Sequence, residues 1–405
     1  MLYLSYDGAL EPLGQSQVVP YLRGLAGLGA AITLISFEKR HDLRALGRVA
    51  ALSEQLARHG IRWIPLAYHK RPSVPATLYD VAAGVAHGAR VVRRERIEIV
   101  HARSYVAGLM AWLLKRVFGL WFLFDMRGFW ADERVEAGLW PAGGAVYRAV
   151  KRLERRLFAD ADEIVTLADR GRRILAAWPG IDGGRVTVIP TCVDLERFPQ
   201  AVRPAFRPAR TAPVLAYTGS VGTWDLLPEM LEFFRETLRR FPAARFMILT
   251  RNPGEAMRAV ERAGLASAAV TIETVGPEAI PARLAHVDVG LALHKPGFAR
   301  QASCPTKTAE YLAMGLPVVT NDAVGDMETI IGARGVGVVL SEFSSSTYAA
   351  ALDRLEGLWA DPALPDRCRQ VAEDTFSLEL GVSRYWSIYQ RLSSSAVGRV
   401  EQVLR

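Results

Sequence analysis

The chain has 405 residues, too many for one compact core and enough for two domains of ordinary size. Half of the residues are hydrophobic and 23% are charged, which excludes a disordered or collagen-like chain; the scattered Cys192, Cys304 and Cys368 exclude a disulfide framework and a cysteine-rich zinc site. The net charge of +8 suits an anionic partner, but the arginines are spread over many segments, so no nucleic acid is expected among the partners.

The pattern alternates apolar runs with amphipathic stretches, the signature of βα units feeding parallel sheets. Leu2 to Ser5 reads as a strand that breaks at Asp7-Gly8, with no basic region before it, so a secretory leader is not expected. A helix is expected over Gln17 to Leu28, then strands over Ala31–Phe37, Arg62–Pro65, Glu98–His101, Trp121–Phe124, Glu163–Thr166 and Val186–Ile189. The membrane-length stretch Tyr105 to Phe124 carries Lys115 and Arg116 at its middle, so it reads as a helix followed by a buried strand rather than a spanning segment. The apolar run Val81 to Ala89, followed by the cluster Val91 to Arg96, suits either a core-facing helix or rest on an anionic membrane surface.

Residues 195–213 carry four prolines and four arginines without periodicity and read as a linker. The alternation then restarts with strand Val214–Thr218, helix Leu227–Arg239, and strands Arg245–Thr250, Val270–Glu273, Val287–Leu293, Leu316–Val319 and Gly337–Leu340. The expected domains are 1–194, 214–375 and a C-terminal helical stretch 376–405. The expected architecture is α/β, two Rossmann-like doubly wound domains facing a cleft, with ligands at the carboxyl ends of strands.

The most informative segment is Ser303 to Asn321, SCPTKTAEYLAMGLPVVTN. Pro305 suits the first position of a helix and Gly315 its C-terminal cap. The free N–H groups around Pro305, Thr306 and Lys307 then form an anion site, and Lys307 adds a full positive charge. Glu310 lies one turn further in, on the same face. A phosphate at the helix start and a carboxylate about 5 Å deeper match a nucleotide, diphosphate outside and ribose hydroxyls inside. A capped helix with a Lys–Glu surface pair explains the same residues when they are taken alone.

This segment resembles the donor-site helix of the family-4 glycosyltransferases, bacterial enzymes with the two-domain GT-B fold. Four further stretches are similar to that family in the right order. They are GQSQVVPYLRGLA from Gly14, VHARS from Val100, VIPTCVDLERF from Val188, and Phe376-Ser377 with Tyr385 to Tyr389, which resembles the helix that crosses back onto the first domain. The resemblance implies that Glu310 binds ribose, that the Gly14 backbone approaches the diphosphate and sugar, and that Lys307 lies at the phosphate-facing helix start. It places Gly219 and Ser220 in the first strand–loop of the donor domain. It also implies transfer with retention at the anomeric carbon.

Three departures from the family pattern stand out. Ala302 occupies the place of a glutamate that often holds the sugar. Ser220 and Thr223-Trp224 replace a phosphate-binding arginine and lysine, leaving Lys307, with Lys295 or Arg300, to neutralise charge. Phe124 to Glu133 (FDMRGFWADE) replaces the acceptor-side histidine.

Asp125 and Arg127 follow an apolar strand, where substrate-facing residues belong, and a simple salt bridge is the other reading. His101, at a strand end, either hydrogen-bonds substrate or is a satisfied structural group. Trp130 and Trp224 either stack on sugar or base or pack in the core. No metal constellation, Ser-His-Asp arrangement or G-x-x-x-x-G-K loop is present, so no cofactor is expected beyond the nucleotide diphosphate sugar used as donor, and a metal-independent transfer follows by elimination. The expected function is sugar transfer to a polysaccharide, lipid-linked or other envelope acceptor, in the cytoplasm or at the inner face of the plasma membrane. A non-hydrolysing nucleotide-sugar epimerase and a non-catalytic nucleotide-sugar binder are the alternatives.

Overall fold

The computed structural model describes residues 1–200, 212–222 and 224–403. The backbone falls into two units, Met1–Pro190 with Leu378–Arg405, and Thr191–Ser377. The expected linker 195–213 is therefore divided. Residues 195–200 pack with the second unit, where Phe198 is buried and its carbonyl accepts from Arg369 Nη1 at 2.6 Å. Residues 201–211 lie outside the described residues, as do Thr223, Leu404 and Arg405.

The first unit carries seven parallel strands, β1 (Leu2–Ser5), β2 (Ile32–Glu38), β3 (Ile61–Ala67), β4 (Ile99–Arg103), β5 (Trp121–Asp125), β6 (Glu163–Thr166) and β7 (Val186–Val188). Their spatial order is β3-β2-β1-β4-β5-β6-β7, so the winding reverses between β1 and β4, the point at which doubly wound sheets bind ligands. β2 is buried along its whole length, as a parallel sheet covered on both faces requires. The helix Ser104–Phe118 lies between β4 and β5 and ends on Gly119 at φ 69°, a left-handed cap. Among the described residues no helix is long and apolar enough to cross a membrane.

The helix expected over Gln17–Leu28 is instead two helices, Pro12–Gln17 and Val19–Gly27. Pro20 has no N–H to give to the turn before it, and the chain breaks at Val18, whose φ and ψ are −122° and −62°. The helix Leu378–Val403 belongs to the first unit, where Val382 packs into the space left by Gly24.

The second unit carries six parallel strands, β8 (Val214–Thr218), β9 (Arg245–Leu249), β10 (Val270–Glu273), β11 (Val289–Ala292), β12 (Val318–Asn321) and β13 (Gly337–Leu340), in the order β10-β9-β8-β11-β12-β13. Its reversal point lies between β8 and β11. The helix Leu227–Arg240 presents Leu227, Met230, Leu231, Phe233 and Phe234 to a core shared with β8, β9 and β11. The strand expected over Leu316–Val319 begins two residues later, because Leu316 N still donates to Tyr311 O at 2.9 Å as part of the helix ending. Tyr311 lies directly on Gly290 of β11, where an added Cβ would sit 2.2 Å from its ring, and its hydroxyl accepts from Thr218 N at 2.8 Å. That close approach seats the helix Thr306–Ala313 against the ends of β8 and β11.

Candidate active site

In the second unit the site begins at this helix. Pro305 is its N-cap rather than its first residue, with extended backbone, and Thr306 opens the helix. The first turn holds neither a side-chain cap nor an acidic residue, so the helix itself supplies nothing to offset its positive end. Lys307 comes off the same turn. Its ammonium is nearly buried, lies 4.4 Å from the centre of the Tyr217 ring and pairs with Asp225. Burial pushes the Lys307 ammonium below its usual range, against the pull of Asp225. Burial opposes the charge on Asp225 too, but Lys307 overcomes this and holds its carboxyl below the ordinary range.

Gly219, at φ 149°, passes so close that a Cβ there would be 3.0 Å from Lys307 Nζ. The carbonyl of the neighbouring Ser220 accepts from Tyr217 Oη at 2.7 Å. Three residues beyond Lys307, burial raises the Glu310 carboxyl to about 7, against the attraction of Lys307 and Arg197. Trp224 lies under the Arg300 guanidinium, 4.2 Å from its ring centre. Ala302 is fully buried and presents only a methyl group.

Two members of this cluster were not singled out by the sequence, Asp225 and His294. The residues flanking them pair as a short antiparallel bridge, Leu226 N to Leu293 O at 3.0 Å and Lys295 N to Trp224 O at 2.9 Å. A histidine directly after an apolar run that ends at the reversal point was the available signal. Asp225 carried none beyond its place at the end of the first loop.

In the first unit Asp125 closes β5, in register with Arg103 at the end of β4. Asp125 is 1% exposed, and its Oδ2 accepts from Tyr385 Oη at 3.0 Å. Around the same oxygen lie Arg127 Nη1 at 3.7 Å, Arg103 Nη1 at 3.8 Å and His101 Nε2 at 4.0 Å. Arg127 holds a left-handed backbone, φ 61°, a strain that a non-glycine residue keeps only where its surroundings impose it. Burial works against its charge, yet Asp125 holds the guanidinium above its ordinary range. His101 Nδ1 meets Tyr389 Oη at 2.7 Å, and burial lowers the imidazole to about 4, so it is neutral.

Tyr385 and Tyr389 stand one turn apart on the helix Leu378–Val403 and together cover the ends of β4 and β5. Asp125 Oδ1, His101 Nε2 and Arg103 Nε remain buried without hydrogen-bond partners. Sequence reasoning missed Arg103, which sits inside the VHARS motif. Trp130 packs in an aromatic group with Tyr105 and Trp140.

Gly14 lies in the helix Pro12–Gln17, and a Cβ on it would fall 2.1 Å from Gly8 O. The chain's own Gly8–Leu10 loop therefore requires the glycine. The same loop is held by buried Glu38, which accepts from Ala9 N at 2.7 Å, Leu10 N at 3.1 Å and Ser36 Oγ at 2.6 Å. His101, Asp125 and Arg127 thus form one cluster in the first unit. Gly219, Ser220, Pro305, Thr306, Lys307 and Glu310 lie together in the second. Among the described residues no group of three or more metal-binding side chains comes together.

The family model described as Glycosyl transferase 4-like domain matches residues 15–192, and that described as Glycosyl transferases group 1 matches residues 212–356. A D-inositol 3-phosphate glycosyltransferase of Segniliparus rotundus is 25% identical over 291 residues, which cover 66% of this chain and 62% of that relative. Among solved structures, the sucrose-phosphate synthase of Thermosynechococcus elongatus has a TM-score of 0.72 at 15% identity, covering 97% of this chain and 99% of that one. HepE of Anabaena, solved in complex with UDP-glucose, has a TM-score of 0.66 at 14% identity, covering 97% and 100%. At these identities the likeness is one of fold, two parallel-sheet α/β domains of the GT-B class.

Proposed function

Because the chain belongs to the glycosyltransferases whose 4-like and group 1 domains it matches, we propose that it moves a sugar from a nucleotide diphosphate sugar to a saccharide or lipid-linked acceptor of the cell envelope. The observation that carries this reading is the pairing of an uncapped helix start at Thr306 with Lys307 and, one turn deeper, Glu310, all at the reversal point of the second sheet. In this reading an anion at the helix start meets the first-turn N–H groups and the Lys307 ammonium, and Glu310 accepts from both ribose hydroxyls. HepE, which shares the fold, binds UDP-glucose, and this supports a nucleotide sugar as the ligand.

In this reading the helix start and Lys307 stabilise the diphosphate as it departs. That electrostatic contribution is the one expected to dominate a transfer that proceeds without a metal and with retention. The Arg127 and Arg103 guanidinia of the first unit suit a phosphate on the acceptor, and Asp125 fixes their position and orients the acceptor hydroxyl. The Segniliparus relative's name, with its inositol phosphate, supports an acceptor of that charge.

Attachment to an anionic membrane surface belongs to the same proposal. The residues that make it differ from those suggested by the sequence. Val81 and Val91 face the core of the first unit, whereas Val74, Leu78 and Tyr79 are 55%, 59% and 63% exposed beside exposed Lys70 and Arg71.

A thermal-shift panel of nucleosides, nucleoside diphosphates and nucleotide sugars tests the donor reading. Stabilisation by at least one nucleoside diphosphate is expected, and a panel with no shift at millimolar ligand contradicts it.

A further inference from the structure

The charged groups at the reversal point of the second unit follow a fixed order. Glu310 lies three residues from Lys307, Lys307 pairs with Asp225, and Asp225 Oδ1 lies 3.3 Å from His294 Nδ1. If the nucleoside lies at Glu310 and the diphosphate at Lys307, the next group along the ligand, the sugar, falls at Asp225 and His294.

His294 is 5% exposed; its Nδ1 faces the Asp225 carboxylate at 3.3 Å, and its Nε2 has no hydrogen-bond partner. An unpaired buried polar group costs about 1–3 kcal/mol, so a second use is needed to explain it. Holding the fold is not that use. The backbone is already fixed, with His294 N donating to Asn321 Oδ1 at 2.8 Å and the flanking residues bridged to the Trp224–Leu226 strand segment.

Resting on the donor reading above, we propose that the His294 imidazole, together with the Asp225 carboxylate, recognises a hydroxyl of the sugar being transferred and so sets which sugar is accepted. A neutral imidazole offers one N–H and one bare nitrogen. With the N–H turned to Asp225, a sugar hydroxyl can donate to the bare nitrogen, whereas a phosphate only accepts and would leave that nitrogen unpaired. Burial and the neighbouring Lys307 keep His294 neutral, holding it at about 3. Both nitrogens are covered in this structure, so the contact forms with a side-chain rotation of the kind common on binding.

The test uses the full chain and calorimetric titration with UDP, UDP-glucose, GDP and GDP-mannose, followed by the pair that the wild type binds. His294→Leu and His294→Gln both fill the space of the ring, but only glutamine keeps a donor and an acceptor. In His294→Leu the dissociation constant of the nucleotide sugar should rise about tenfold or more while that of the nucleoside diphosphate changes less than about twofold, and His294→Gln should restore most of the loss. Equal losses for both ligands, or no loss for either, overturn the proposal. A wild type that binds none of these four and no other nucleoside diphosphate of the thermal-shift panel removes the donor reading itself, and this inference with it, before any variant is compared.

Discussion

Tyr385 Oη donates to Asp125 Oδ2 at 3.0 Å, the bond by which the C-terminal helix of the first unit covers the end of β5. Asp125 is buried, and its other oxygen has no hydrogen-bond partner, so this donor matters. Tyr385→Phe should cost about 1.5–3 kcal/mol, the scale of a hydrogen bond to a charged group, read as a lower unfolding midpoint by calorimetry. Asp125→Asn should lower turnover at least about tenfold while donor binding stays intact, the pattern of a group that acts on the reaction rather than on nucleotide recognition. Unchanged turnover in Asp125→Asn removes it from the mechanism and leaves His101 as the next candidate.

Glu310 predicts a pH dependence. Its carboxyl titrates at about 7 in the folded chain against an ordinary 4.5, so the folded state keeps a proton that the unfolded chain releases. Stability from this group is therefore present below pH 4.5 and is lost as pH rises from there to about 7. Donor affinity runs the other way, because the ionised carboxylate is the better acceptor for ribose hydroxyls. Affinity should rise about tenfold between about pH 6 and 8 in titrations of the wild type, and Glu310→Gln should flatten that rise. Glu310→Ala should cost roughly 2–3 kcal/mol of donor affinity at pH 8. Normal nucleotide binding in Glu310→Ala contradicts the ribose assignment.

Lys307→Ala should weaken nucleoside diphosphate binding more than nucleoside binding, since only the diphosphate presents charge to the ammonium. The Asp225 pairing predicts a further effect. Without Lys307 the Asp225 carboxylate is left unpaired in a buried site, so the variant should also lose thermal stability. Equal losses for nucleoside and diphosphate would mark Lys307 as a structural partner of Asp225.

Flotation of the full chain with vesicles containing anionic lipid should show binding at low salt that fades at high salt. Replacing Leu78 and Tyr79 together by serine should reduce it, as both side chains are more than half exposed. Absence of binding at low salt favours a soluble acceptor.

Much of this was legible in the sequence, and the parts that were not have definite physical reasons. Strands β6, β8, β10 and β13 lie where the sequence pattern placed them, because each carries apolar residues that the sheet buries wholly or in part. The helix Thr306–Ala313 was visible from Pro305 and Gly315, which mark its two ends. The break at Val18 was not foreseen, since helical spacing continues through it and only Pro20 interrupts the hydrogen bonds. Nor was the Asp225–Lys307–His294 group, in which Asp225 lies far along the chain from the other two and meets them because β8 and β11 are neighbours. The orientation of the helix Ser73–Glu95 was ambiguous for a different reason. Its apolar residues occur on more than one side, and only packing shows that Val81 and Val91 turn inward while Leu78 and Tyr79 do not.

The central claim is transfer of a sugar from a nucleotide carrier, and the fate of that sugar tests it most directly. The wild type and Glu310→Ala are incubated with the nucleotide sugar identified by thermal shift, with and without a membrane-lipid extract, and the nucleotides are resolved by anion-exchange chromatography. The account predicts nucleoside diphosphate released in proportion to the extract added, sugar recovered in the lipid or saccharide fraction, and loss of both in Glu310→Ala. A sugar that stays on its nucleotide and is recovered as an epimer, without any extract, would contradict it.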